Sequence, residues 1–205
     1  DIDIVGSRNM LADAEIIAAM VSILEHLGIE RFEVRYSNRK ILNGVIEWAG
    51  IPAERGPDVM RVVDKLERQG KDAVLLELGP GRTDSSGDKI SGLQLDHKKI
   101  DNIKRFLEMA VLSDDDPLLR AEKFLASQAA STEGIAELRR VADHLRHMHI
   151  DTRKTRVDLT VVRGLGYYTG PVYETTLLDL PQYGSVFSGG RYDNLVDRFS
   201  SQPMP

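Results

Sequence analysis

Two glycine-rich segments late in the sequence hold the side chains best suited to chemistry. The first reads Arg163-Gly164-Leu165-Gly166-Tyr167-Tyr168-Thr169-Gly170 and runs into Val172-Tyr173-Glu174-Thr175-Thr176-Leu177. The second reads Ser188-Gly189-Gly190-Arg191-Tyr192-Asp193. Glycines beside arginine and tyrosine, set between paired strands, let backbone approach a ligand closely. Guanidinium groups and phenols converging on such a gap suit a small polar ligand with an anionic group. Either segment taken singly reads equally well as an ordinary hairpin loop; the pair is what points to a ligand.

Other clusters read as structural. His144, His147 and His149 are spaced so that one helical face cannot present all three, and no carboxylate cluster completes a metal shell. Histidine and arginine also suit the negative end of a helix dipole. The Asp114-Asp115-Asp116 run stands just ahead of Pro117, where carboxylates suit a helix N-terminus, and declares too few oxygens for a hard cation. No metal site is expected.

Composition narrows the classes further. The chain has 205 residues, of which 41% are hydrophobic and 29% charged, a globular balance rather than that of a disordered segment. A formal charge of −5 argues against a wholesale basic nucleic-acid surface and leaves room for a local patch. With no cysteine, disulfides, thiolate catalysis and Cys-ligated metal sites are excluded. No apolar run reaches the roughly 20 residues of a membrane span, and residues 1–5 do not read as a cleavable targeting segment. A cytoplasmic protein is expected.

The elements that must position these side chains follow from periodicity. Residues 1–5 alternate as a half-buried strand, 11–27 recur at helical spacing up to Gly28, and Phe32, Val34 and Tyr36 alternate with Glu33 and Arg35 as a second strand. Ser37 or Asn38 can cap the next helix, through Trp48 to Gly50. In the middle the strand signals nearly vanish. Helices are predicted around Val59–Leu66 spacing, over 74–78, 100–112, 117–130 and 134–148, with a turn-rich, mobile loop at 79–92. Strands return at 156–162, 172–177 and 185–187, followed by a helix around Leu195, Val196 and Phe199. The result is an α+β fold: residues 1–52 and 151–205 form the layered part, and 53–150 an inserted all-helical subdomain.

At the two glycine-rich segments the sequence resembles the histidyl-tRNA synthetases. Arg163 through Glu174 and Gly189 through Val196 are similar to that family's two histidine-specific loops. Asp1-Ile2-Asp3-Ile4-Val5-Gly6 with Ala12-Asp13-Ala14-Glu15-Ile16-Ile17 resembles the strand and helix after motif two, and residues 32–42 the strand and helix start that follow. The resemblance implies part of a class II synthetase antiparallel sheet with flanking helices. It also implies histidine–tRNA ligase activity: histidine and ATP give histidyl-adenylate and pyrophosphate, and the histidyl group passes to the terminal adenosine of histidine tRNA. ATP would enter with Mg2+ as a co-substrate, with no cofactor tightly held.

Roles carry over residue by residue. Arg163 matches the catalytic arginine, which meets the α-phosphate and the histidine carboxylate; a fixed guanidinium can neutralise the charge developing there. Tyr168 matches the tyrosine that hydrogen-bonds the imidazole, and Asp3 its acidic partner at the other nitrogen, a polar test that an apolar amino acid fails. Tyr192 resembles the tyrosine near the substrate amino group. Tyr167, Gly189 and Gly190 are assigned to the same substrate-binding group. Two departures stand out: Gly166 replaces the family's usual aspartate, and Ser188 stands where glycine or another small residue is common.

The family's motif one, which builds its homodimer interface, is not found in these residues, nor are the Phe-Arg-x-Glu part of motif two, motif three and the anticodon-binding domain. The 205 residues therefore read as an internal segment of a synthetase or a naturally truncated relative, expected by themselves to form negligible adenylate. The alternative is a non-catalytic histidine sensor similar to the synthetase-like regulatory subunit of ATP phosphoribosyltransferase; a further one is a remnant that binds nothing. In the family the insertion sits over the tRNA acceptor stem. Here Arg139, Arg140, Arg146, Arg153, Lys154 and Arg156 form the richest basic run, but interleaved acids favour a solvated face over a tRNA contact.

Overall fold

The computed structural model describes residues 1–112, 116–164, 166–193 and 195–196. The chain forms α1 (Met10–His26), β1 (Phe32–Asn38), α2 (Arg39–Trp48), α3 (Gly56–Val63) and α4 (Leu66–Leu78). A hairpin of β2 (Gly81–Thr83) and β3 (Lys89–Ser91) leads to α5 (His97–Ala110), α6 (Pro117–Phe124) and α7 (Ala129–His147). The chain then returns to strands β4 (Thr155–Val157), β5 (Pro171–Leu177) and β6 (Ser185–Gly190). Of the residues singled out in the sequence, Asp114, Asp115, Leu165 and Phe199 lie outside those described.

Local chemistry explains most boundaries. Asn9 caps α1 by accepting from the Leu11 N–H, and the helix buries Ile17, Val21 and Leu24 before Gly28 turns the chain at φ 73°. Asn38 rather than Ser37 caps α2: its Oδ1 accepts from the Lys40 N–H at 2.9 Å, and its Nδ2 donates to Glu137 on α7 at 2.8 Å. Asp116 caps α6 through the Leu118 N–H, as an acid ahead of Pro117 should.

The main sheet has the order β4-β1-β5-β6, antiparallel at β1–β5 and β5–β6 and parallel at β1–β4. In β1 and β5 the pairings Val34↔Thr175 and Arg35↔Glu174 sort the side chains onto opposite faces. Val34 and Thr175 face α1, where the Thr175 hydroxyl lies 3.7 Å from the Met20 sulfur. Arg35 and Glu174 face the other way. One apolar core joins the sheet to all the helices, with Ile17, Phe32, Ile41, Phe106, Leu138 and Leu159 fully buried. Within it, α2 and α7 approach closely where Gly134 meets Lys40 and Ile41, since a Cβ on Gly134 would lie 3.0 Å from the Lys40 Cβ.

Four expectations are revised. Residues 1–5 join neither sheet and expose Ile2, Ile4 and Val5; alternation marks a strand only where a neighbouring ladder accepts it. The strand predicted over 156–162 stops at Val157, because Asp158 Oδ1 accepts from both the N–H and the hydroxyl of Thr160 and turns the chain. The strand predicted over 185–187 extends to Gly190, so Gly189 and Gly190 are sheet residues paired with Tyr173 and Val172. The loop expected at 79–92 is the β2–β3 hairpin, so the segment 53–150 is not wholly helical. Its Gly-and-Asp-rich stretch is the hairpin turn, closed by Asp84 accepting from Ser86 and Asp88.

That hairpin is anchored by a buried carboxylate. Glu77 on α4 accepts from Lys65 Nζ at 2.6 Å and Arg82 Nε at 2.9 Å. Burial opposes its ionisation, but the two cations outweigh it and hold the carboxyl below its usual range. A depressed acid stabilises the fold above its unfolded pKa, and that contribution is lost as pH falls through the folded value. Glu77→Gln is expected to remove about 3 kcal/mol at neutral pH, at the low end for a broken buried pair because both cations are partly exposed. Urea unfolding at pH 7 and pH 3 checks this: the gap between variant and parent should close in acid.

Candidate functional site

The segment carrying Arg163 and Tyr168 folds back on itself where Gly164 takes φ 69°, and the Tyr168 ring covers the place a Cβ would occupy. The same ring lies against Gly190, where a Cβ would stand 2.9 Å from its Cγ. A Cβ on Gly189 would likewise meet the Tyr173 ring at 2.7 Å. The paired glycines of β6 thus make room for tyrosine rings. Beside them opens a recess of about 380 Å³ lined by Asp3, Ile16, Tyr173, Gly190, Arg191 and Tyr192, a volume suited to one small metabolite. Tyr167 packs edge-on to Tyr168 at 4.4 Å between ring centres and lies 5.8 Å from Tyr192.

Electrostatics ties Asp3 to this group. Burial, the neighbouring Tyr167 hydroxyl and then the Asp3 carboxylate push the Tyr168 phenol up to about 12, so it remains a hydrogen-bond donor at neutral pH. The Tyr173 phenol is raised too, first by burial and then by Asp13, Tyr168 and Asp3. Carboxylates and phenols facing one recess suit a ligand that offers a donor on one side and an acceptor on the other, as a neutral imidazole does.

Arg163 lines a neighbouring recess of about 630 Å³ and not the one lined by Asp3. Its Nε donates to Glu174 Oε2 at 2.6 Å. Period-two alternation still places Arg163 on the same sheet face as the Tyr168 ring, because Glu174 lies two residues from Val172, the cross-strand partner of Gly190. The structure therefore gathers Asp3, Tyr192 and Gly190 at one recess; Tyr168 does not line it, but its ring lies against Gly190, with Tyr167 stacked beside it. It joins Arg163 to them through the Gly164–Tyr168 contact.

Three further residues organise the site. Arg191 Nη2 pairs with Asp13 Oδ2 at 2.5 Å, and its other donors reach Ser7 O, Asn9 O and Asp193 Oδ1. Asp193 in turn accepts from the Thr169 hydroxyl at 2.6 Å. Burial raises the Asp13 carboxyl above its usual range even though Arg191 opposes the shift. The sequence carried a signal for Asp13, an acid on the apolar stripe of α1 with Ile17 one turn on. For Glu174 there was none, since its partner Arg35 is known only once the strand register is known.

The basic run at 139–156 is largely occupied by its own acids. Arg139 pairs with Asp116 and Glu122, Arg146 with Asp143, Arg153 with Asp151, Lys154 with Glu25, and Arg156 with Glu33. Among the described residues no helix is long and apolar enough to cross a membrane.

The family model for histidyl-tRNA synthetase matches residues 2–205. A histidine–tRNA ligase of Paracoccus denitrificans (strain Pd 1222) is 41% identical over all of this chain and 44% of its own length. One from Clostridium tetani (strain Massachusetts / E88) is 38% identical, again over 44% of its length. The chain thus spans less than half the length of these relatives. The crystal structure of histidyl-tRNA synthetase from Nostoc sp. PCC 7120 superposes with a TM-score of 0.82 at 28% identity, covering 98% of this chain and 44% of that one. A Bacillus halodurans C structure described as an ATP phosphoribosyltransferase regulatory subunit/histidyl-tRNA synthetase shares the fold, with a TM-score of 0.75 at 22% identity over 98% of this chain and 47% of that one.

Proposed function

Since the chain belongs to the histidyl-tRNA synthetase family, we propose that it forms the histidine-binding part of a cytoplasmic histidine–tRNA ligase, homodimeric as in the family. Residues 1–52 and 151–205 belong to the catalytic core in this reading, and 53–150 to the insertion beside the tRNA. The observation that carries it is the shared recess of Asp3, Tyr192 and Gly190, with the Tyr168 phenol against Gly190 and within electrostatic reach of Asp3.

The chemistry follows from these groups. Asp3 accepts the imidazole N–H, and the Tyr168 hydroxyl donates to the other ring nitrogen. Tyr192 and Tyr167 close the recess, and Gly189 and Gly190 keep it open. A carboxylate oxygen of histidine attacks the α-phosphorus of ATP, the bond to the β-phosphate bridge breaks, and pyrophosphate departs. A hydroxyl of the terminal adenosine of tRNA then attacks the acyl carbon and AMP departs. Arg163 meets the α-phosphate and stabilises the charge that builds on its oxygens; positioning and electrostatics do the rest. Mg2+ would accompany ATP as a co-substrate ion on its phosphates.

The deciding experiment is histidine-dependent ATP–pyrophosphate exchange by the protein as its gene encodes it. Exchange with histidine and with no other amino acid supports the ligase reading. Histidine binding without exchange supports the sensor reading instead. In calorimetric titration, Tyr168→Phe is expected to weaken histidine binding roughly tenfold to a hundredfold, the cost of leaving a buried acceptor without its donor. An unchanged Kd would remove Tyr168 from the imidazole site.

A further inference from the structure

We propose that Glu174 is the positioning residue of Arg163, holding the guanidinium by its Nε edge so that both terminal amines face the anionic reacting group. The inference deepens the ligase reading and rests on it, in that the anion is the α-phosphate.

The Arg163 side chain is 39% exposed, and a long side chain with that freedom samples several rotamers unless something selects one. Glu174 does so through a contact of 2.6 Å to Nε. Among the described residues, Nη1 and Nη2 of Arg163 have no partner. Those amines form the edge of the guanidinium fork best suited to an oxyanion.

Glu174 is itself held. Its Oε1 accepts from Arg35 Nη2 while Oε2 serves Arg163, so the buried carboxylate has both oxygens taken and cannot follow a rotation of Arg163. Arg35, also buried, is gripped from the far side by Glu67 on α4, with Asp158 at 3.6 Å. The chain of contacts runs from the helical segment, through the sheet, to the arginine.

The arrangement also limits the electrostatic cost of orienting a cation with an anion. A carboxylate given to Arg163 alone would cancel most of its charge, whereas this one is shared with Arg35. The Glu67 side chain that balances Arg35 is 57% exposed, and solvent screens it. Arg163 therefore keeps much of its field while losing its freedom, which is what preorganised charge stabilisation requires.

The test is kinetic, with chemical rescue. Glu174→Gln is expected to lower kcat for histidine-dependent exchange roughly tenfold to a hundredfold through misplacement of Arg163, with KM for histidine within about threefold of the parent. Glu174→Asp, which keeps the charge and shortens the reach, falls between. Millimolar guanidinium should restore part of the activity of Arg163→Ala but none in Arg163→Ala/Glu174→Gln, which lacks the carboxylate that would seat it. A merely structural Glu174 gives a lower melting temperature with kcat per folded molecule unchanged and equal rescue in both backgrounds; that result overturns the proposal. Should the substitutions prevent folding, Nε-labelled arginine NMR of the unsubstituted protein still decides it. A slowly exchanging Arg163 Nε–H supports the anchoring and a rapidly exchanging one refutes it. Absence of exchange in the unsubstituted protein overturns the ligase reading, and with it a role in that reaction, while the NMR result on anchoring stands apart.

Discussion

Arg163→Ala should abolish nearly all histidine activation while weakening histidine binding far less. The guanidinium lines a recess separate from the one that holds Asp3 and Tyr192, and its firm contact is with Glu174. Removing it therefore takes nothing from the imidazole-binding groups. In the proposed reading it removes a fixed positive group at the phosphate, active only as charge develops there. Loss of one such donor costs about a hundred- to a thousandfold in kcat. Exchange kinetics measure the first effect and calorimetric titration with histidine the second. If Kd for histidine rose in parallel with the fall in kcat, Arg163 would belong to the binding recess, and the division between the two recesses would be wrong. Arg163→Lys should recover little, because an ammonium cannot donate to Glu174 and present a planar fork at the same time.

Arg191→Met should destabilise the fold more than any other single change at the site. The guanidinium is nine-tenths buried and joins three parts of the chain: Asp13 on α1, the Ser7–Asn9 turn and the end of β6. Its backbone adds to this, with the Arg191 N–H donating to Pro171 O and its carbonyl accepting from Thr169. Methionine fills the space but leaves Asp13 buried and alone. Breaking a buried pair from one side costs about 3–5 kcal/mol, which for a chain of this size lowers Tm by about 10 °C. The burial that raises the Asp13 carboxyl also gives the sign of a pH effect. With Arg191 gone, Asp13 folds more readily in its neutral form, so the variant should regain stability as pH falls toward the carboxylate range. The double variant Asp13→Leu/Arg191→Met should recover much of the loss at neutral pH. Thermal unfolding followed by circular dichroism at pH 5 and pH 8 reads all three; a Tm for Arg191→Met equal to the parent's would show that the clamp is idle. Histidine affinity should fall with Tm, since the turn that Arg191 pins and Asp3 line the same recess.

Much of this is legible in the sequence alone. The stripe of Ile17, Val21 and Leu24 with Gly28 behind it specifies α1, and the alternation of Phe32, Val34 and Tyr36 specifies β1, because helix and strand periods are local properties. The crowding in the glycine and tyrosine segments is legible for the same reason: residue type and spacing are enough to say that backbone and phenols come together. Tertiary structure decided the partners. Whether residues 1–5 form a strand depends on a neighbouring ladder, and whether 79–92 is a loop or a hairpin depends on pairing between Arg82 and Ile90. The glycines of β6 turned out to hold tyrosine rings rather than a bare loop. The pairing of Glu174 with Arg35 and of Arg191 with Asp13 joins residues far apart in the chain. A one-residue slip in register would turn each side chain to the opposite face, and no local pattern encodes that register.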